Sequence, residues 1–394
     1  MPREVGIVGI GHTSFGKWNR SFVELCCTAA VEALEDAGIR RNTGKVDQLL
    51  LSTMGAQTLN HQTGVASALV DTLNLRPAMA ETVENGPASG ASAVKFAYTE
   101  IAGGLCDVVL VIGAEMMRTV NSKRCTDLVA TLLHPEVEYP YGLTLPAMAG
   151  LFTRLCMEQY GVTEEDLARV AIKNHQHAMH NPLAQFHSEL TLEKIFGEGH
   201  KNSYVAEPLH LYDVCPMSDG AVALLMCAMD VADHFSKRPV RIRGIGQATD
   251  THTMAEREVP TELLAVRLAS QKAYAMSGLT PDDIDVAELH DAFVILEIVE
   301  SEEAGFFPRG QGHLAVRRGE TMIGGRIPIN TSGGLKAKGH PLGATGVSQI
   351  HELVVQLRGE AGERQIKGAK AGLAINFGGF GNNVVATVLT REEL

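Results

Sequence analysis

One pattern constrains this 394-residue chain more than any other: its second half repeats the grammar of its first. Val5–Ile10 reads as a buried strand, Phe22–Ala37 as an amphipathic helix closed by Gly38, and Val46–Ser52 as a return to strand. Far downstream, Ala265–Ser277 reads as a helix, Gly278 closes it, and Asp285–Leu289 is strand-like. A glycine just past the last periodic residue supplies the left-handed cap that ends a helix without steric cost. A second echo pairs the small-residue segment Ser89-Gly90-Ala91-Ser92-Ala93-Val94 with Gly343-Ala344-Thr345-Gly346-Val347-Ser348. Each opens a helix and is followed by a buried strand, Val108–Gly113 and Ala371–Phe377. Strands alternating with helices at this spacing predict an α/β fold, and internal repetition makes it a duplicated one.

Between the halves, residues 118–216 break the pattern. This stretch scatters His and Pro, carries acidic Glu136–Glu138, and holds a helix from about Glu164 to His180 that opens on the capping signal Thr163-x-x-Asp166. It reads as an insertion long enough to cover a pocket. The expected division is 1–235, insertion included, and 236–394. Cys215 and Cys227 are expected to be buried, flanking an apolar helix.

Composition narrows the function. The net charge is −12, which gives no bulk attraction for nucleic acid or anionic lipid. No apolar run approaches the ~20 residues of a membrane span. The start, Met1 to Ile10, goes directly into a strand-like run without secretory-leader grammar. Seven cysteines without a C-x-x-C pair argue against a disulfide framework or a cysteine metal site and fit a reducing cytoplasm.

Four segments are candidates for chemistry. Glu84-Asn85-Gly86-Pro87-Ala88-Ser89-Gly90 makes a stiff turn into a helix whose first N–H groups are free. Asn330 to Gly346 contains Ser332-Gly333-Gly334-Leu335-Lys336-Ala337-Lys338-Gly339-His340-Pro341, with His340 constrained between Gly and Pro. Lys336 and Lys338 suit an anionic ligand such as a nucleotide phosphate, and Arg118 and Arg124 are further candidates. Ile375-Asn376-Phe377-Gly378-Gly379-Phe380-Gly381-Asn382 is a strand ending in glycines. Glu288-Leu289-His290-Asp291-Ala292-Phe293 puts His290 at the carboxyl end of a strand, where open α/β sheets collect ligands.

Together these segments resemble the thiolase superfamily, particularly its sterol-carrier-type and archaeal branch, over nearly the whole chain. The most specific parts are His290-Asp291-Ala292-Phe293 and Gly333 through Gly343, with Cys215-Pro216-Met217-Ser218-Asp219-Gly220-Ala221 resembling the stretch that closes the family's loop domain. The resemblance implies a five-layered αβαβα fold, a loop domain over the site, coenzyme A thioester substrates and at least a homodimer. It also implies that no cofactor is permanently bound, coenzyme A entering as part of the substrate, with Ser332, Gly333, Lys336 and Lys338 as its candidate contacts.

The departures are as informative. The family's nucleophilic Cys falls at Pro87, which has neither thiol nor N–H. Asn376 stands at the position of the late acid/base Cys, and Ala292 where some relatives carry another. Of the oxyanion hole for an acylated intermediate, only the Gly378 N–H remains. His290 and His340, which in relatives stabilise an enolate, are kept. Three readings follow: carbon–carbon bond cleavage or formation without acyl transfer, of retro-aldol type, in lipid or aromatic degradation; an acyltransferase with direct attack of CoA or an unusual Cys, such as Cys125; or a non-catalytic CoA-binding subunit. For the first, His290, His340, Tyr139 or Tyr141 is the expected base, and a small zinc-ribbon/OB-fold protein a possible partner.

Overall fold

The computed structural model describes residues 2–39, 45–199 and 201–391. In chain order the first part comprises β1 (Val5–His12), α1 (Phe22–Asp36), β2 (Gln48–Ser52), α2 (Ala56–Asn60), α3 (Val65–Thr72), β3 (Met79–Val83), α4 (Ser89–Ala102) and β4 (Val108–Met116). The insertion follows, with α5 (Ser122–Ala130), α6 (Leu145–Tyr160), α7 (Glu164–Ala178), α8 (Leu192–Phe196) and the small hairpin β5 (Tyr204–Ala206) and β6 (Leu209–His210). The chain then returns through β7 (Asp219–Ala228). The remainder is β8 (Val240–Thr249), α9 (Leu264–Ser277), β9 (Val286–Glu288), α10 (Val294–Glu303), α11 (Gly312–Arg317), α12 (Leu342–Arg358), β10 (Ala371–Gly378) and β11 (Asn383–Thr390).

The strand order, β3-β2-β4-β7-β1-β8-β11-β10-β9, carries the duplication in plain form. Outward from the antiparallel contact of β1 with β8 (Gly6 opposite Arg241), each half runs first strand, last strand, fourth, second. The third position of the second half is marked by a parallel bridge from Ala287 to Ile329, matching the parallel pairing of β2 with β3. In both halves the last strand is antiparallel to its neighbours while the inner ones are parallel. Five layers result: α1 on the outer face of β1 and β7, the first-half strands, a central layer of α4 and α12, the second-half strands, and α9 on β8 and β11.

Small residues make these layers possible. A Cβ at Gly90 would lie 2.8 Å from the Val347 backbone N, and one at Gly346 would collide with Ala91 N and the Asn376 side chain, so α4 and α12 touch backbone to backbone. The outer layers use a repeated device: Gly9 and Gly11 of β1 face carbonyls of Ala33 and Ala29 on α1, as Gly244 and Gly246 of β8 face those of Ala273 and Ala269 on α9.

Local signals behave as read. Gly38 and Gly278 have φ of +82° and +75°, and Thr163 with Asp166 forms a reciprocal capping box at α7. One expectation fails. The apolar run between Cys215 and Cys227 is not a helix but β7, every residue of which is buried. A strand covered on both faces loses its alternation and cannot be told from a buried helix by periodicity. Among the described residues, no helix is long and apolar enough to cross a membrane.

Candidate functional site

The second half presents the carboxyl end of β9, the tip of β10 and the N-terminus of α12 on one side; the first half adds the turn into α4. Over this junction the insertion lays α5, the start of α6 and residues 214–217. Between them lies a cavity of about 160 Å³. Pro87, His290 and His340 line it, together with Met117, Cys125, Cys215, Phe293, Phe377 and Phe380.

The two imidazoles meet edge to face, with centroids 5.0 Å apart at 86°. His290 is fixed by its backbone N–H, which donates to Glu300 Oε2 at 2.9 Å, and by stacking on Phe377 at 4.9 Å. Asn376 lies behind it rather than in the cavity wall. The Asn376 Oδ1 accepts the Ala91 N–H from the first turn of α4 (3.3 Å), which orients the amide so that its Nδ2 donates to His290 Nδ1 (3.1 Å). An acceptor Nδ1 leaves the His290 proton on Nε2. At His340 the bias is opposite. The Thr345 hydroxyl donates to the Pro341 carbonyl at 3.0 Å and accepts from His340 Nδ1 at 2.7 Å, which leaves His340 Nε2 without a proton. Burial drives the His340 pKa down to about 3 and that of His290 well below its ordinary value, so both rings are neutral. The pocket thus holds one imidazole donor and one imidazole base.

Among the described residues, no nucleophile of ordinary reactivity faces this pair. Pro87 sits immediately before Ala88, the cap of α4, and offers a saturated ring. Burial pushes the Cys125 thiol up to about 11 and the Cys215 thiol to about 12. Gly378 ends β10 next to the cavity-lining Gly379, and a Cβ there would reach the Asn85 carbonyl at 3.1 Å.

Several expected contacts are corrected. Lys336 and Lys338 are only 3% and 2% exposed and point inward, not toward a ligand phosphate. The Lys336 ammonium donates to the Val214 carbonyl at 2.7 Å, and that of Lys338 faces Glu288 at 3.6 Å. Ser332 is buried and its hydroxyl donates to the same Glu288 at 2.5 Å. Gly333, with φ of +102°, packs against Ala178. These four residues hold up the loop that carries His340; none lines the cavity. Tyr139 and Tyr141 also lie outside it. The Tyr139 hydroxyl donates to Asp127 at 3.0 Å, and Tyr141 is exposed. Arg118 and Arg124 remain on the surface.

Sequence reading did not find the groups that aim the imidazoles. Asp291 accepts from the Leu335 and Lys336 amides (2.6 and 3.2 Å) and from Asn174 Nδ2 (2.7 Å), tying the His290 segment to the His340 segment. Burial, reinforced by Glu297, raises Asp291 to about 7. Glu115 collects the Met54, Gly55 and Gly343 amides and so clamps the start of α12 to the end of β2. The phenylalanine wall was also missed, although Phe293, Phe377 and Phe380 all stand within or beside the segments singled out.

Comparison with known proteins agrees with this fold. Residues 5–230 match the family model "Thiolase, N-terminal domain" and residues 246–391 match "Thiolase C-terminal domain-like". The chain is 38% identical to the acetyl-CoA acetyltransferase of Methanothermobacter thermautotrophicus, covering 99% of this chain and all of the relative. It is 35% identical to human sterol carrier protein 2, covering 98% of this chain and 72% of that protein. Among solved structures, one described as "Ltp2-ChsH2(DUF35) aldolase" superposes with a TM-score of 0.85 at 30% identity, covering 100% of this chain and 99% of that one.

Proposed function

This chain belongs to the thiolase superfamily, and from that premise we propose that it makes or breaks a carbon–carbon bond in a CoA thioester without ever carrying the acyl group. One observation supports this reading above the rest: a neutral imidazole donor and a neutral imidazole base share the cavity with Pro87, the residue that the family resemblance sets at the nucleophile's position.

In the cleavage direction the substrate is a β-hydroxyacyl-CoA. Its thioester oxygen accepts from His290 Nε2–H, and its hydroxyl donates to His340 Nε2. His340 takes the hydroxyl proton, the Cα–Cβ bond breaks, and an aldehyde or ketone leaves. The bonding pair passes to the thioester as an enolate whose oxygen rests on His290. The proton on His340 then returns to Cα, giving the shortened acyl-CoA. No atom of the enzyme is acylated, and the proton ledger closes on His340. A positioned base poised near neutral pH contributes ~10²–10⁴ to such a step, and His340, lowered to about 3 by burial, supplies less; a donor aimed at a developing oxyanion contributes ~10²–10³.

The likeness to a solved aldolase supports this assignment. That structure pairs its chain with a DUF35 protein, so we place a small partner protein in the same proposal; the homodimer or larger assembly in it rests on the family resemblance alone. A second reading, acyl transfer, is favoured by the relative named acetyl-CoA acetyltransferase and by the complete Gly339-His340-Pro341 segment. The deciding experiment is incubation with a β-hydroxyacyl-CoA, alone and after iodoacetamide treatment. Release of a carbonyl product that survives alkylation is the expected result. Acetoacetyl-CoA thiolysis that alkylation abolishes would establish the acyltransferase instead.

A further inference from the structure

We infer that the cavity selects acyl groups ending in one compact apolar unit, no larger than a single ring, and that Phe380 sets this limit. The inference rests on the reading above, in that it seats the acyl end of a CoA thioester at His290 and His340.

The first argument is size. The cavity is about 160 Å³, and an apolar protein cavity of about 150 Å³ suffices to bind benzene. A long alkyl chain does not fit in that space.

The second argument is chemistry. Beyond the two imidazoles the walls are Met117, Leu145, Phe293, Leu296, Phe377 and Phe380. They offer no acid, base or amide to a polar substituent; apart from the two raised thiols, only Thr126 adds a hydrogen-bonding side chain. A carboxylate at the end of the acyl group would lose its water and find no partner, which is the costly case. An aromatic or branched alkyl group loses nothing polar, and ring-on-ring contact with the phenylalanines favours it further.

The third argument is rigidity. Phe380 meets Phe152 edge to face at 5.5 Å and Phe293 at 6.3 Å. Arg257, only 6% exposed, lies 5.9 Å from its ring centroid and donates to its backbone carbonyl. A wall residue held from three sides cannot swing away to admit a longer chain, so the boundary is hard. Phe377, by contrast, is committed to stacking on His290.

The test is equilibrium binding of acyl-CoAs that lack a β-hydroxyl and so cannot be cleaved: acetyl-CoA, succinyl-CoA, 3-phenylpropanoyl-CoA and dodecanoyl-CoA, titrated into the full chain. 3-Phenylpropanoyl-CoA is expected to bind at least tenfold tighter than each of the other three. Phe380→Ala is expected to raise the affinity for dodecanoyl-CoA relative to 3-phenylpropanoyl-CoA at least threefold, and Phe380→Leu, a milder change to the core, to do so in part. Equal or tighter binding of succinyl-CoA or dodecanoyl-CoA by the parent overturns the inference. So does an unchanged ratio in both variants, or no detectable binding of any of the four. If the affinity order holds but 3-hydroxy-3-phenylpropanoyl-CoA is not cleaved, the pocket assignment stands and the lyase reading falls.

Discussion

Restoring the missing thiol is the sharpest perturbation available, and its size follows from the geometry. Pro87 lines the cavity directly ahead of the α4 cap, so Pro87→Cys should set a sulfur at the mouth of that helix and beside His340. An ordinary thiol of pKa ~8.5 is roughly one-quarter ionised at about pH 8; burial of position 87 opposes ionisation and the helix N-terminus favours it. Cys125, raised to about 11 by burial, is ~10⁻³ ionised at the same pH, and Cys215, at about 12, is ~10⁻⁴ ionised. Where those two influences offset, alkylation at position 87 should outrun that of Cys125 by up to ~10². Folding should suffer little, because losing proline costs ~0.4–1 kcal/mol through the unfolded chain. The assay is a time course of iodoacetamide labelling with peptide mapping, paired with intact-mass measurement after exposure to acetyl-CoA. The parent should gain no acyl group, and the variant should retain one. An introduced thiol that labels no faster than Cys125 would falsify the placement of residue 87 at the reacting centre, and with it the proposal that this chain works without acyl transfer.

Other tests address the remaining groups. His340→Ala should abolish cleavage while leaving acyl-CoA binding measurable, whereas Cys125→Ser should keep at least half of the parent rate; full activity in the first variant rejects His340 as base. Because the His340 pKa in the folded protein is near 3, its imidazole stays neutral as the pH falls through the usual histidine range. The rate should then show no inflection near pH ~6.5 that His340→Gln removes, and stopped-flow profiles finding one would refute the assignment. The same depression makes folding less favourable as the pH drops from about 6.5 toward 3, since the unfolded ring takes up a proton that the buried ring refuses. Lys338→Met should leave Glu288 without its cation and destabilise the fold by ~3–5 kcal/mol in denaturant titrations. It should leave acyl-CoA affinity within twofold, which a true phosphate contact would not. Gly346→Ala should lower the melting temperature sharply, as the added methyl collides with Asn376 and the α4 backbone.

The architecture was largely legible because its signals are local and repeated: paired capping glycines, paired small-residue helix starts, a capping box at α7. The sequence even contains a further echo, Gly9-Ile10-Gly11 against Gly244-Ile245-Gly246, that marks both outer helix contacts. For the site, segments were easier to read than roles. His290 and His340 reach one cavity, as their backbone settings led us to expect. The lysines misled because a cation near glycines looks like a phosphate contact, and only tertiary structure reveals that Glu288, more than forty residues away, lies beside Lys338. Asn376 read as a loss, an amide where a thiol belongs. Its real use, bonding α4 on one side and His290 on the other, depends on how β10 packs against the start of α4 and the end of β9.

The way the cavity is partitioned along the chain has a practical consequence. Both imidazoles come from the second repeat, while the first repeat and its insertion contribute walls. Proton handling therefore lies wholly after residue 285, where Phe293, Phe377 and Phe380 also supply one wall, while the facing wall is encoded before 218. A library confined to α5, the start of α6 and residues 214–217 can remodel that facing wall without altering either imidazole or Phe380.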